Sequence, residues 1–452
     1  MDSHLPNILI QGESSRLFPV LSMNSKEARA TSILLACLVF VDEFGAQLLA
    51  TVGQKRGKLT KIKSFTEVVL KDQNEPSSNR PDGLVILTTS TREWMALVET
   101  KVGNSKINVE QVERYRTLAK NNDIDCVITI SNQFATTPHN HPVQEIRKSK
   151  SKIPVYHWSW MSVLTVTELL VINKEITDET QLILLNELRR FLSHESTGIR
   201  GFDRMPKEWA ILNKLVSTGG EIDIKSHEVQ AVLDSWHQET RDLSLILSRM
   251  TGVHVKEKLI RKHLQSPNQR IKDEKIFLQK NYQLCCSFEV PDSAGPIQVV
   301  ADLRRRTIEV GMTLKAPEDR KSTKARINWL LRQIKSEEIE DLFIRINWPG
   351  SSVSTQFSYN QLKDDVAIVG EGKKHMVSKG FHVFYSKRLG PRFIQANNFI
   401  MDIETIVPEY YSNIGSNLSA WKKPAPKIHK DRTSPEDVSP DAITEEADLF
   451  QV

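Results

Sequence analysis

Apolar and polar positions divide the chain into two patterned regions and a patternless end. After a polar, irregular lead-in over residues 1–23, the stretch SKEARATSILLACLVFVDEF has apolar residues on nearly every face beyond its first two turns. That pattern predicts a helix buried along most of its length, with Asn24 and Glu27 spaced as a capping box at its start. Gln47–Val52 and Leu59–Leu70 read as strands separated by the basic turn Gly53–Gly57, and residues 71–81, rich in Ser, Asn and Pro, read as a loop. Arg80–Thr89 and Glu93–Val102 then alternate as two strands of a hairpin turning at Ser90 and Thr91, with a helix after them. Asp125–Ile130 and Pro154–Trp160 are further apolar runs of strand length, with a helical stretch over His141–Lys150 between them and an amphipathic helix over Thr177–His194. Strands interleaved with helices predict an α/β domain over residues 1–195, a sheet covered on both faces.

The pattern changes after a link at Gly198–Arg204. Residues 205–270 are mostly helical by periodicity, and from Ile276 strands dominate: YQLCCSFEV, PIQVVADL and RTIEVGMTL, then DLFIRINW and HVFYSK, with a helix near Lys324–Lys335. This predicts a second, α+β domain over residues 205–412. From Trp421 onward the chain is Pro-rich and charged, basic first and acidic afterwards, a composition that predicts a disordered tail over residues 421–452.

Composition narrows the classes without choosing one. A chain of 452 residues exceeds one ordinary core, and its 39% apolar content can build two. A formal charge of +5 is modest for this length, so a nucleic-acid surface would have to come from local clustering of Lys and Arg. Candidates are Lys256–Lys280, Arg304–Arg306 and Lys321–Arg332, each of which also reads as an ordinary solvated face. The cysteines, Cys37, Cys126, Cys285 and Cys286, show neither a CxxC pair nor His companions at ligand spacing, as expected of buried, reduced thiols. The longest uninterrupted apolar run, Ile33–Val41, is too short to span a bilayer, and the start MDSHLPN is too polar for a signal peptide. The expectation is a cytoplasmic protein with no membrane partner.

The chemistry concentrates in the hairpin. If it turns at Ser90 and Thr91, residues whose numbers sum to 181 lie opposite one another, and Asp82 and Glu99 satisfy that sum. Directly opposed residues of an antiparallel pair have Cβ atoms about 5 Å apart, close enough for two carboxylates to share one cation. Lys101, two residues beyond Glu99, points to the same face, where it can orient a water or neutralise a phosphate. Phosphodiester cleavage needs an activated water and relief of charge on the phosphate oxygens, and a divalent cation held by carboxylates supplies both. Asp82 has a second reading as the turn residue of Pro81-Asp82-Gly83, and Glu27 as the capping-box carboxylate alone. His157, in VYHWSW, reads as a packed strand residue rather than a ligand.

Pro81-Asp82 followed by Glu99-Thr100-Lys101 on the next strand resembles the PD-(D/E)xK nuclease superfamily. The same chain carries an unrelated Pro291-Asp292 and an unrelated Asp273-Glu274-Lys275, neither with its other half on a neighbouring strand. Gln111 and Tyr115, on the following helix, give the Q-x-x-x-Y pattern of the RecB-like branch and share a helical face at i,i+4. The resemblance implies a restriction-endonuclease-like core in which Asp82, Glu99 and the carbonyl of Thr100 ligate magnesium or manganese, with Lys101 as the catalytic lysine. It places Gln111 and Tyr115 in the site as well and matches Glu27 to the extra acidic residue that many members carry on the first helix. It further implies a nuclease acting on DNA, RNA not excluded, of the kind used in restriction, repair or phage defence. The alternatives are a nuclease-like fold that binds nucleic acid or a partner without cutting, and a regulatory protein whose second domain senses a small ligand. In the tail, Glu446-Ala447-Asp448-Leu449-Phe450 is similar to the short motif by which bacterial replication proteins hold the sliding clamp, with Glu446 where Gln is usual; chance is the favoured explanation of so short a match.

Overall fold

The computed structural model describes residues 5–22, 25–57, 59–71, 80–335, 339–370, 372–373, 375–423 and 425. The proposed clamp motif at Glu446–Phe450 lies outside the described residues, as does Asn24 of the expected capping box.

The first region is a mixed six-stranded sheet in sequence order: β1 (Leu9–Ser14), β2 (Lys61–Leu70), β3 (Gly83–Thr88), β4 (Glu93–Thr100), β5 (Cys126–Ser131) and β6 (Val155–Ser159). The pairs from β1 to β4 are antiparallel, whereas β4–β5 and β5–β6 are parallel. Helices cover both faces. On one side, α1 (Lys26–Phe40), α2 (Asp42–Ala50), α5 (Trp160–Ile172) and α6 (Glu179–Ser193) bury Val85, Val98 and Ile128. On the other, α3 (Val109–Asn121) and α4 (Gln144–Lys148) bury Leu84, Leu97 and Val127. Successive strand residues face opposite layers, so the central strands read as continuous apolar runs.

Three elements depart from the sequence expectation. Part of the lead-in forms β1, an edge strand whose alternation is masked by two register irregularities against β2. The single long helix is two, broken at Val41 with a bend of 106°. Arg56 explains the break: its guanidinium donates to the carbonyls of Leu38, Val39 and Val41, satisfying groups that a continuous helix would use internally. Gly45 permits that approach, since a Cβ there would stand 2.4 Å from the Leu38 carbonyl oxygen and 2.5 Å from Arg56 Nη1. Gln47–Val52 is not a strand but the end of α2 and its turn, burying Leu48 and Leu49; a short apolar run carries too few periods to separate helix from strand.

The second region is α+β, as expected. It comprises α7 (Glu208–Ser217), α8 (His227–Thr251), β7 (Lys256–Glu257), α9 (Arg261–Gln265), α10 (Pro267–Asn281), β8 (Gln283–Glu289), β9 (Ile297–Asp302), β10 (Thr307–Lys315), α11 (Thr323–Leu331), β11 (Leu342–Asn347), β12 (Thr355–Ser358), α12 (Tyr359–Asp364), β13 (Gly380–Arg388) and α13 (Ala396–Asn413). Its seven strands form an antiparallel sheet in the order β12-β11-β13-β10-β9-β8-β7, whose inner face packs with Trp209 of α7, Trp236 of α8 and Ile403 of α13 in one core. Among the described residues no single helix is long and apolar enough to cross a membrane. All four cysteines are free thiols; Cys286 is in the core while adjacent Cys285 is half-buried, as alternation along β8 requires.

Candidate functional site

The β3–β4 pairing has the register read from the sequence: Gly83 faces Val98, Leu84 faces Leu97, and Thr88 faces Glu93. Asp82 sits one residue before β3, where the same register sets it against Glu99. Two supports fix this entry to the strand. The Asp82 carbonyl accepts from Glu67 N–H at 3.2 Å, and Glu67 itself holds a left-handed backbone at φ 55°. Gly83 lets α1 pack against the start of β3, since a Cβ would lie 2.7 Å from Leu35 Cδ1 and 3.1 Å from the Phe65 carbonyl oxygen. Gly83 therefore serves close packing rather than a turn, and Asp82 is directed at β4 instead of open solvent.

The Asp82 carboxylate accepts the Thr100 backbone N–H at 2.7 Å and the Thr100 hydroxyl at 3.0 Å, both on Oδ2. Thr100, fully buried, is also hydrogen-bonded through its hydroxyl to Thr31 of α1. Glu99 is 1% exposed; its Oε1 accepts from Lys101 Nζ at 2.5 Å, and its Oε2 has no hydrogen-bond partner. Lys101 Nζ lies 3.6 Å from Glu27 Oε2, while the other Glu27 oxygen accepts the Val102 N–H at 3.3 Å. No side-chain cap bond is made at the start of α1. Glu27 thus joins Lys101 and the loop after it.

The electrostatics follow from burial and proximity. Burial pushes the Glu99 carboxyl up to about 7, with the Asp82 charge adding to the rise and Lys101 opposing it. Burial likewise raises Asp82, against the pull of the Thr100 hydrogen bonds and of Lys101. Burial works against the Lys101 ammonium, but Glu99, Asp82 and Glu27 together outweigh it and hold its pKa above the ordinary value. Lys101 is the counter-charge for three acids.

Gln111 and Tyr115 sit one turn apart on α3, Gln111 Nε2 donating to the Tyr115 hydroxyl at 2.8 Å. That hydroxyl donates to the Arg80 carbonyl at 2.9 Å from a fully buried ring. The pair anchors the backbone two residues before Asp82, a positioning role. Burial, reinforced by the nearby Glu99 charge, raises the phenol well above its usual range.

Several contributors carried no signal in the sequence. Trp160 Nε1 donates to the Lys101 carbonyl at 2.9 Å. Asn132, beyond β5, donates to the carbonyls of Gly103 and Gly198 at 3.1 and 2.8 Å, and Gly103 N–H donates to the same Gly198 carbonyl at 2.8 Å. Gly198 has φ 77°, and a Cβ there would meet Gly103 N at 3.0 Å. The loop that follows Lys101 is thereby tied to the link between the two regions. His157, fully enclosed, bonds Thr129 and the Gln133 carbonyl through its two ring nitrogens; His141 shares the same Thr129 hydroxyl. Burial depresses both rings, to about 3 for His141 and about 4 for His157, which keeps them neutral as internal struts.

An open cleft of about 460 Å³ is lined by Glu27, Asp82, Lys26, Gly103, Ser105 and Gly198 among others, with Glu99 too deep to reach its wall. Among the described residues no three His, Cys, Asp or Glu side chains converge as a ready metal-holding group. The arrangement fits a cation in one respect: two opposed acids, one of them buried with only the Tyr115 hydroxyl near its second oxygen, lie beside an opening to solvent. Part of the basic run over Lys256–Lys280 is neutralised at home. Arg270 bonds Glu257 and Glu274, while Lys262 and His263 both pair with Asp273. The chain matches no protein-family model, no curated protein and no solved structure, so these residues carry the functional reading by themselves.

Proposed function

We propose that the chain is a metal-dependent nuclease of the PD-(D/E)xK type, with Asp82, Glu99 and Lys101 as its reacting centre. The single observation that carries the reading is the opposition of Asp82 and Glu99 across one strand pair, with Glu99 buried, Lys101 bonded to it and the Tyr115 hydroxyl close by. Buried like charges are costly unless a proton or a cation sits between them. Asp82 and Glu99 would hold magnesium or manganese, with the Thr100 carbonyl and Glu27 as the further ligands expected of such a site. A divalent cation there supplies Lewis-acid polarisation of the phosphate and a more acidic bound water. The chain's own contribution is positioning: Thr100 clamps Asp82, the Gln111–Tyr115 pair holds the backbone before it, and Lys101 offers its ammonium to the scissile phosphate.

One observation favours a second reading, a nuclease-like fold that binds nucleic acid without cutting it. Lys101 occupies one oxygen of Glu99, and among the described residues no ready group of three acids or other ligands forms around Asp82 and Glu99. Manganese titration followed by electron paramagnetic resonance separates the two. The nuclease reading expects saturable binding that Asp82→Ala and Glu99→Gln each weaken at least tenfold, and binding unaffected by either substitution would reject it. Because Glu99 must lose its proton to ligate, affinity should rise with pH and level off above about 7.

A further inference from the structure

A second and larger cleft, about 1220 Å³, runs between the two regions. Its first wall is made of the loops that leave the carboxyl ends of the parallel strands β4 and β5, together with α4. Its second wall is α8 and the α9–α10 segment, and the link at residues 200–207 closes one side. Ligands of open α/β sheets gather outside the carboxyl ends of the strands, because the loops there are free to diverge and expose backbone groups. Gly103 and Ser105 line both this cleft and the one holding Asp82, so the two adjoin. The walls are fixed to each other: Gln238 of α8 accepts the Phe134 N–H at 2.7 Å and donates to the Phe134 carbonyl at 2.9 Å.

The charge of the lining points to a polyanion. Seven Lys or Arg side chains line the cleft against three Asp or Glu, and among the described residues Lys106, Arg147, Lys207 and Arg241 make no salt bridge. Lys106, Arg147 and Lys207 are exposed and stand on the loop after β4, on α4 and on the interdomain link, so they surround the opening from separate elements. Arg241 is held at the α8 wall by one bond to Ser244 at 3.2 Å, with Glu257 and Asp242 near its charge but in no salt bridge with it. Amide side chains such as Asn104, Gln133, Gln144 and Gln230 supply neutral donors between the cations. This mixture of cations and amides suits a phosphodiester backbone.

Size selects among polyanions. A duplex with grooves roughly 8 Å deep on either side is at least about 16 Å across, so three base pairs, on the order of 10 Å of length, would fill roughly 2000 Å³. That is comparable with all the open space between the walls, so a duplex would lie partly outside the cleft, whereas a single strand a few nucleotides long fits within it. We propose that the interdomain cleft is a single-stranded polynucleotide track that delivers a strand to Asp82, Glu99 and Lys101. The proposal deepens the nuclease reading and rests on it for the fate of the strand, but not for the binding.

The test is fluorescence anisotropy on the full chain in EDTA, so that no cleavage intervenes. The probes are labelled oligothymidylate and oligouridylate of about 16 nucleotides and a blunt DNA duplex of equal length. Binding of either single strand at least tenfold tighter than the duplex is expected. In the triple variant Lys106→Ala/Arg147→Ala/Lys207→Ala, with its melting temperature checked against the parent, single-strand affinity should fall at least tenfold. The slope of log affinity against log salt should flatten by roughly 2, about 0.7 per lost phosphate contact. Duplex binding as tight as single-strand binding, or a triple variant that binds like the parent, overturns the track. Single-strand binding without cutting when magnesium is added would sustain the track while removing the nuclease reading.

Discussion

Glu99 is the residue on which the chemistry and the stability of the first region meet. Its carboxyl rises from an ordinary 4.5 to about 7 on burial beside Asp82. Between those pH values the folded chain holds a proton that the unfolded chain has released. The associated stability is complete below about 4.5 and is lost as pH rises through about 7. In EDTA, Glu99→Gln should therefore melt higher than the parent at pH 8, by a margin on the order of 2 kcal/mol, and close to it at pH 4. Thermal melts at the two pH values would show this, and a variant less stable at pH 8 would mean that Lys101 satisfies Glu99 completely. The acids and the lysine were legible in the sequence because opposed residues in a hairpin follow from one turn position. The partners Thr31, Asn132 and Trp160 were not, since each lies tens of residues away in the chain and nothing local marks it.

At the scale of elements, the site depends on how closely α1 meets β3. Gly83→Ala would place a methyl group 2.7 Å from Leu35 and 3.1 Å from the Phe65 backbone, and the helix or the strand must move. A loss of about 1–3 kcal/mol is expected from such overpacking, measured by urea denaturation, with weaker metal binding because Glu27 and Asp82 ride on the two displaced elements. Unchanged stability would show that α1 shifts without resistance. The hairpin, β5, β6 and five strands of the second sheet were readable because each carries a full apolar run between turn residues. The α1–α2 break was not, because its cause is a guanidinium that arrives from Arg56 on a loop beyond α2. α5 is apolar on most sides and follows β6 without a break, so its pattern merges with the strand before it.

For the whole molecule, the tie between the loop after Lys101 and the link to the second region is the feature most open to experiment. Asn132 holds Gly103 and Gly198 together. Asn132→Ala should leave manganese affinity within a few-fold while lowering cleavage and single-strand binding several-fold; equal losses in all three would indicate general unfolding rather than loosened domains. The division into an α/β and an α+β region was legible from composition and strand spacing, but the cleft between them was not, since its lining is drawn from separate loops and helices of both regions that only the fold brings together. The central claim is tested most directly by incubating the full chain with labelled single- and double-stranded DNA and RNA in magnesium, manganese or EDTA, beside Asp82→Ala and Lys101→Ala. Metal-dependent cutting that both substitutions reduce at least a hundredfold is the predicted result. Cutting that persists in EDTA or in both variants would contradict the account, as would intact manganese and strand binding with no cleavage of any substrate.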